Sequence, residues 1–237
     1  MMDFIVAEWF GVTIIRPNNL ITNILVGITG FFLYKLIAQK NEQNLSWITW
    51  WSFFFLFVGL GTALGGMAHA FNYEYPHVLH TQSDHFAWAV AGLGLYFGER
   101  TRSVWGKFTE VIGWVAVVKL LLFFVLLLGL IFYKFDGFNS FDVVRWNATF
   151  SMFIILFATY FWLHRVEKIN SLFYFLLGFG IMLIDIPIYN YQLKLHTWID
   201  HHDLGHFLQI ISLFIFYLGV NEEIINSRTA EVRHLAE

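Results

Sequence analysis

From Val111 to Tyr133 the chain carries one charged side chain, Lys119. A stretch of this kind, about 20 apolar residues at 1.5 Å of rise each, is long enough to cross the roughly 30 Å hydrocarbon layer of a bilayer as a helix. It has counterparts. Together with 110–133, stretches at about 19–38, 46–71, 84–98, 142–163, 169–191 and 202–220 predict an all-α membrane protein, a seven-transmembrane helix bundle forming one domain over residues 1–237. Composition agrees: charged residues are 13% of the chain, against about a quarter in soluble domains. The segment Met1–Arg16, apolar on one side and interrupted by acids, reads as an interfacial helix ended by Pro17-Asn18-Asn19. Trp47, Trp50 and Trp51 form an expected aromatic belt at the start of the second span.

Lysine and arginine set the orientation. With the N-terminus outside, the inner ends of the spans hold Lys35, Lys40, Arg100, Arg102, Lys107, Arg165, Lys168, Arg228 and Arg233, nine in all. The outer ends hold four: Arg16, Lys134, Arg145 and Lys194. The bias favours an outside N-terminus and a cytoplasmic C-terminus. Asp3 and Glu8 stand where a cleavable signal peptide would carry basic residues. The absence of cysteine excludes disulfides, thiolate chemistry and cysteine-bound zinc or haem. A net charge of −3 gives no reason to expect a nucleic-acid partner. Span seven has no lysine for a retinal Schiff base.

The chemistry concentrates in the polar start of span seven, HTWIDHHDLGH. His202 and His206 are four residues apart, so on a helix they share a face and can grip one metal ion. A bis-histidine haem would need ligands on opposite faces of its ring, whereas this pair converges on one point. In an antiparallel bundle of this orientation His69, late in span two, and Asp84, early in span three, lie at the same outer level. Three imidazoles and an open position are the coordination of a catalytic zinc, and a nearby carboxylate can take the proton of its bound water. Each residue also has a plainer reading. The histidines suit headgroup contacts, and Asp84 suits the N-cap of span three. His201 points about 100° away from His202 on a helix and is expected to be solvated; His77, His80 and His85 are weaker rivals as ligands.

A histidine late in span two, an aspartate early in span three and HxxxH in span seven, on seven helices, resemble the CREST superfamily of membrane hydrolases, and within it the alkaline ceramidase-like branch. The resemblance implies Zn2+ held by His69, His202 and His206, with Asp84 engaging the zinc-bound water as the catalytic carboxylate. It further implies a lipid amide as substrate, a ceramide or a relative, hydrolysed in the outer, non-cytoplasmic leaflet. The family places a serine one turn before the span-two histidine; here Gly65 occupies that position, in GTALGGMAHA. Thr62, on the same face, and Ser83, beside Asp84, are candidate substitutes.

Asp185, in the outer half of span six and followed by Pro187, is expected near the zinc level, with Arg145 as an ion-pair partner. Lys119, near mid-depth on span four, is expected to snorkel to the inner surface. Gly61, Gly65 and Gly66 are expected to permit close helix packing. A lipid receptor or sensor using zinc as a staple is the alternative to the hydrolase.

Overall fold

The computed structural model describes residues 5–71, 92–94, 107–133, 146–167 and 170–236. Two short strands, β1 (Val6–Trp9) and β2 (Val12–Ile15), precede α1 (Pro17–Gln39), α2 (Ser46–Ala70) and α3 (Lys107–Tyr133). A π-helical segment, Phe150–Phe157, continues into α4 (Ala158–Glu167), and α5 (Ser171–Asn190) and α6 (His201–Ala236) complete the chain. Among the described residues, four helices are long and apolar enough to cross a membrane: Pro17–Gln39, Ser46–Ala70, Ser171–Asn190 and His201–Thr229, with a shorter apolar helix at Gly113–Leu126. Their positions agree with the expected spans one, two, six, seven and four. Most of the expected third span, including Ser83 and Asp84, lies outside the described residues, as do Arg145 and the histidines at 77, 80 and 85.

The N-terminal segment is an antiparallel hairpin, not the expected interfacial helix, with Val6 opposite Ile15 and Trp9 opposite Val12. Phe10 (φ 53°) and Gly11 (φ 79°) both have positive φ, as a two-residue type I′ turn requires. The turn therefore outweighs the weak helical periodicity of a segment this short. Ile14 seats the hairpin against Leu20 and Ala70 at the end of the bundle. Glycine tolerates this backbone, but Phe10 is strained in it and is fully exposed. Phe10→Asn, which suits a left-handed residue before glycine, is expected to raise stability by about 1 kcal/mol. A thermal melt in detergent reads this, and a lowered midpoint would mean that the aromatic ring itself is needed.

α1 starts with Pro17 at its first turn, where the missing N–H costs nothing. It runs antiparallel to α2, with Gly27 against Ala63 and Gly30 against Gly59. The two helices approach closely at Gly30 and Gly59, and Gly66 receives the side chain of Asn23, as close packing at that glycine requires. The turn between them is pinned by Asn41, whose Oδ1 accepts from the Leu45 N–H at 2.7 Å. α6 runs parallel to α1. Its far half takes Lys40, which donates to Tyr217 Oη at 2.9 Å, and its own Arg228 donates in return to the Lys40 carbonyl at 2.7 Å. α5 returns antiparallel along α6, with Gly178 under Phe216 and Ser212 donating to the Gly178 carbonyl at 3.0 Å.

Aromatic side chains fill the centre. Tyr160 stacks on Phe175 (4.8 Å between centroids), and Phe175 packs on Trp51 (4.9 Å). Trp51 is thus part of the core, 2% exposed, rather than the outer member of a belt, because α2 turns that face toward α4 and α5. Lys119 also departs from expectation. Its ammonium donates to Ser151 in the π-helical segment, and Ser151 donates to the Asn147 carbonyl at 2.9 Å. The wider π turn carries Ser151 into reach, so the cation is satisfied inside the protein instead of snorkelling.

Candidate functional site

The start of α6 is shaped by a reciprocal cap. The Asp200 carboxylate accepts from the backbone N–H of His202 (2.8 Å) and of Asp203 (3.4 Å). Asp203 Oδ2 accepts in return from the Asp200 N–H at 3.0 Å. This is a capping box with aspartate in the third helical position, and it begins the helix one residue before the predicted His202.

The Asp203 side chain is 1% exposed and does more than cap. It accepts from Asn18 Nδ2 at 2.6 Å and from Thr22 Oγ1 at 2.8 Å. Thr22 Oγ1 also lies 2.8 Å from Nδ1 of His206. Beside them Asn23 donates to the Asn19 side chain and carbonyl, each at 2.8 Å. Asn18, Asn19, Thr22 and Asn23 recur at helical spacing, forming a polar stripe on an otherwise apolar α1 that faces the start of α6. Each member satisfies a neighbour, as groups out of water must. The Arg16 guanidinium, held above this cluster, feels Asp200 and Asp203. Burial lowers its pKa from the ordinary arginine value, while these carboxylates and Tyr189 oppose the shift.

Asn18, Thr22 and Asp203 are not among the residues that the sequence singles out. The signal that could have found them is the polar stripe Asn18-Asn19-Thr22-Asn23 inside a predicted span, together with the DxxD spacing of Asp200 and Asp203.

The levels of the predicted site residues follow from helix register. Thr62 of α2 meets Gln209 of α6 (3.5 Å) and Phe54 meets Phe216. These two contacts run in antiparallel register, with Thr62 near the first third of α6 and Phe54 nearer its middle. Asp185 of α5 lies over Gly205, where a Cβ would come within 2.5 Å of its Oδ1, so it sits at the expected level. Thr62 is about one turn deeper, and its hydroxyl donates to the Val58 carbonyl at 2.8 Å. His201 is buried at 6% exposure, against the expectation of a solvated ring. Tyr189 at the end of α5 covers that face, with ring centroids 5.4 Å apart, and the His202 ring joins them, 4.2 Å from His201 and 5.6 Å from Tyr189.

His202 and His206 are thus presented on one helix, four residues apart at the start of α6. Among the described residues, however, no group of three or more histidine, aspartate or glutamate side chains is gathered to hold a metal ion. The His202 ring packs on His201 and Tyr189, and His206 Nδ1 meets Thr22.

These features define a mostly helical protein with several helices able to cross a membrane and a buried polar site at one end of the bundle. Residues 19–224 match the family described as "Family of unknown function (DUF6962)", and the chain belongs to that family. No curated protein and no solved structure is detectably similar to it.

Proposed function

We propose that this protein is a seven-span, zinc-dependent membrane hydrolase of a lipid amide, similar to the alkaline ceramidases, with its N-terminus and its site on the non-cytoplasmic side. His69, His202 and His206 hold the zinc in this reading, and Asp84 handles the proton of the attacking water. When bound, zinc would polarise the scissile carbonyl and make its water a nucleophile at neutral pH. The observation that supports the reading is the His202/His206 pair at the start of α6 beside a buried polar network, on a helix whose antiparallel register with α2 would carry His69 toward the same end. The parallel run of α1 and α6, with α2 and α5 opposed, also suits their assignment as spans one, seven, two and six. The chain's own residues would orient and exclude water: Thr22 holds the His206 ring, Tyr189 and His201 cover His202, and Asp185 flanks the pair.

Metal analysis beside a lipid assay tests this. Purified wild-type protein should carry zinc and release fatty acid from ceramide or a related lipid amide, and His206→Ala should lose both. Asp84→Asn should keep zinc and lose turnover by at least about 100-fold; undiminished hydrolysis by that variant would reject the assigned role.

A lipid sensor with a structural metal is the second reading. Gly65, at the position of the family's serine, favours it, because a glycine offers no side-chain group to a reacting carbonyl. Bound zinc without hydrolysis of any lipid amide would select it.

A further inference from the structure

Thr22 stands between an acceptor and an imidazole and has one proton to give. Its oxygen is 2.8 Å from Asp203 Oδ1 and 2.8 Å from His206 Nδ1, while its contacts to the Asn18 and Asn19 carbonyls are longer, 3.2 and 3.1 Å. Asp203 already takes the Asn18 amide and the Asp200 N–H on Oδ2, and the Arg16 guanidinium supplies positive charge nearby. Two donors on Oδ2 and a neighbouring cation hold this side chain as a carboxylate group whose Oδ1 is left to accept. The Thr22 hydrogen therefore goes to Asp203, and the remaining short contact can be a hydrogen bond only if Nδ1 of His206 carries a hydrogen and donates it to Thr22.

From this chain we infer that Thr22 and Asp203 are positioning residues that fix the tautomer of His206. The order Nδ1–H to Thr22 Oγ1, then Thr22 O–H to Asp203 Oδ1, puts the ring hydrogen on Nδ1 and leaves Nε2 as the lone-pair nitrogen. The bond from one ring nitrogen decides which nitrogen is available to a ligand. The pair of contacts also fixes the ring plane, since Asn18 and the Asp200 N–H immobilise the carboxylate at the far end. The tautomer stands on these hydrogen bonds alone; its use, with Nε2 presented to a metal ion, rests on the hydrolase reading.

The relay has a direction, and substitution can reverse it. In Asp203→Asn the side-chain oxygen is held by the donors from Asn18 and Asp200, which turns the new amide N–H2 toward Thr22. Thr22 must then accept from it and donate to His206 Nδ1, which moves the ring hydrogen to Nε2. Thr22→Val keeps the shape and removes the relay, whereas Thr22→Ser keeps the hydroxyl.

The test is nitrogen NMR on histidine-labelled, metal-free protein in detergent, with the His206 signals identified by their loss in His206→Gln. The wild type and Thr22→Ser should show Nδ1 as the protonated and Nε2 as the unprotonated ring nitrogen. Asp203→Asn should exchange the two, and Thr22→Val should lose the preference. A wild-type His206 protonated at Nε2, or an Nδ1–H form unchanged in both Thr22→Val and Asp203→Asn, overturns the inference. Zinc titration separates it from the reading beneath it. Added zinc should shift the Nε2 resonance, and Asp203→Asn should weaken zinc binding about 10- to 100-fold. If the tautomers behave as stated but zinc leaves Nε2 untouched, the relay stands and the metal assignment falls.

Discussion

Gly30→Val is expected to part α1 from α2 and cost about 3 kcal/mol, at the upper end for overpacking a tight interface. A Cβ at Gly30 would lie 2.7 Å from the Gly59 Cα, 2.7 Å from the Phe55 carbonyl oxygen and 2.9 Å from the Gly59 nitrogen. All three are backbone atoms of a helix, so no rotamer change relieves the contact. The helices must separate, and separation loosens Val26 and Leu33 against Phe55 and Val58, which form one buried cluster. Between apolar helices in lipid, close packing of this kind carries association. Gly180→Ala is the matched control, because nothing lies within 4 Å of a Cβ there. Unfolding in mixed detergent should give a large drop in midpoint for Gly30→Val and almost none for Gly180→Ala. Equal midpoints would show that the glycine approach is not what holds the pair.

The same approach seats Asn23 on Gly66 and so turns the polar stripe of α1 toward α6, which ties the packing of the first two helices to the geometry of the site.

The helices were readable because burial in hydrocarbon demands about twenty apolar residues in a row, a signal that needs no tertiary information. The predicted stretches 19–38 and 46–71 sit within two residues of α1 (Pro17–Gln39) and α2 (Ser46–Ala70). The hairpin was not readable, since its turn depends on positive φ at Phe10, a conformation that phenylalanine does not advertise. Trp51 and His201 were misjudged for one physical reason: a residue's place along a helix gives its depth, but only the neighbouring helix decides whether its face is covered. The placing of His202 and His206 on one helix start was legible from spacing. The network behind it was not, because Asp203 reads locally as a first-turn acid, and its partners Asn18 and Thr22 are remote in sequence.

Asp203→Ala is expected to be the most damaging polar substitution at the site, lowering stability by about 4 kcal/mol through three donors left without an acceptor. The carboxylate, 1% exposed, receives Asn18 at 2.6 Å, Thr22 at 2.8 Å and the Asp200 N–H at 3.0 Å. Alanine returns none of these bonds and opens no route for bulk water, so each donor keeps its desolvation cost without compensation. The loss also removes half of the capping box, so the first turn of α6 should fray and exchange its amide hydrogens faster. Asp203→Asn retains one acceptor and should cost about half as much. Gln209→Ala provides the contrast: its bond to Thr62 Oγ1 of α2 is long at 3.5 Å, and its loss should cost less than about 0.5 kcal/mol. Denaturation midpoints and amide exchange over residues 201–206 check the order Ala, then Asn, then the Gln209 variant. If Asp203→Ala came within about 1 kcal/mol of wild type, the donors would have to reach water, and the network could not be the sealed link between α1 and α6 on which the orientation of His206 depends.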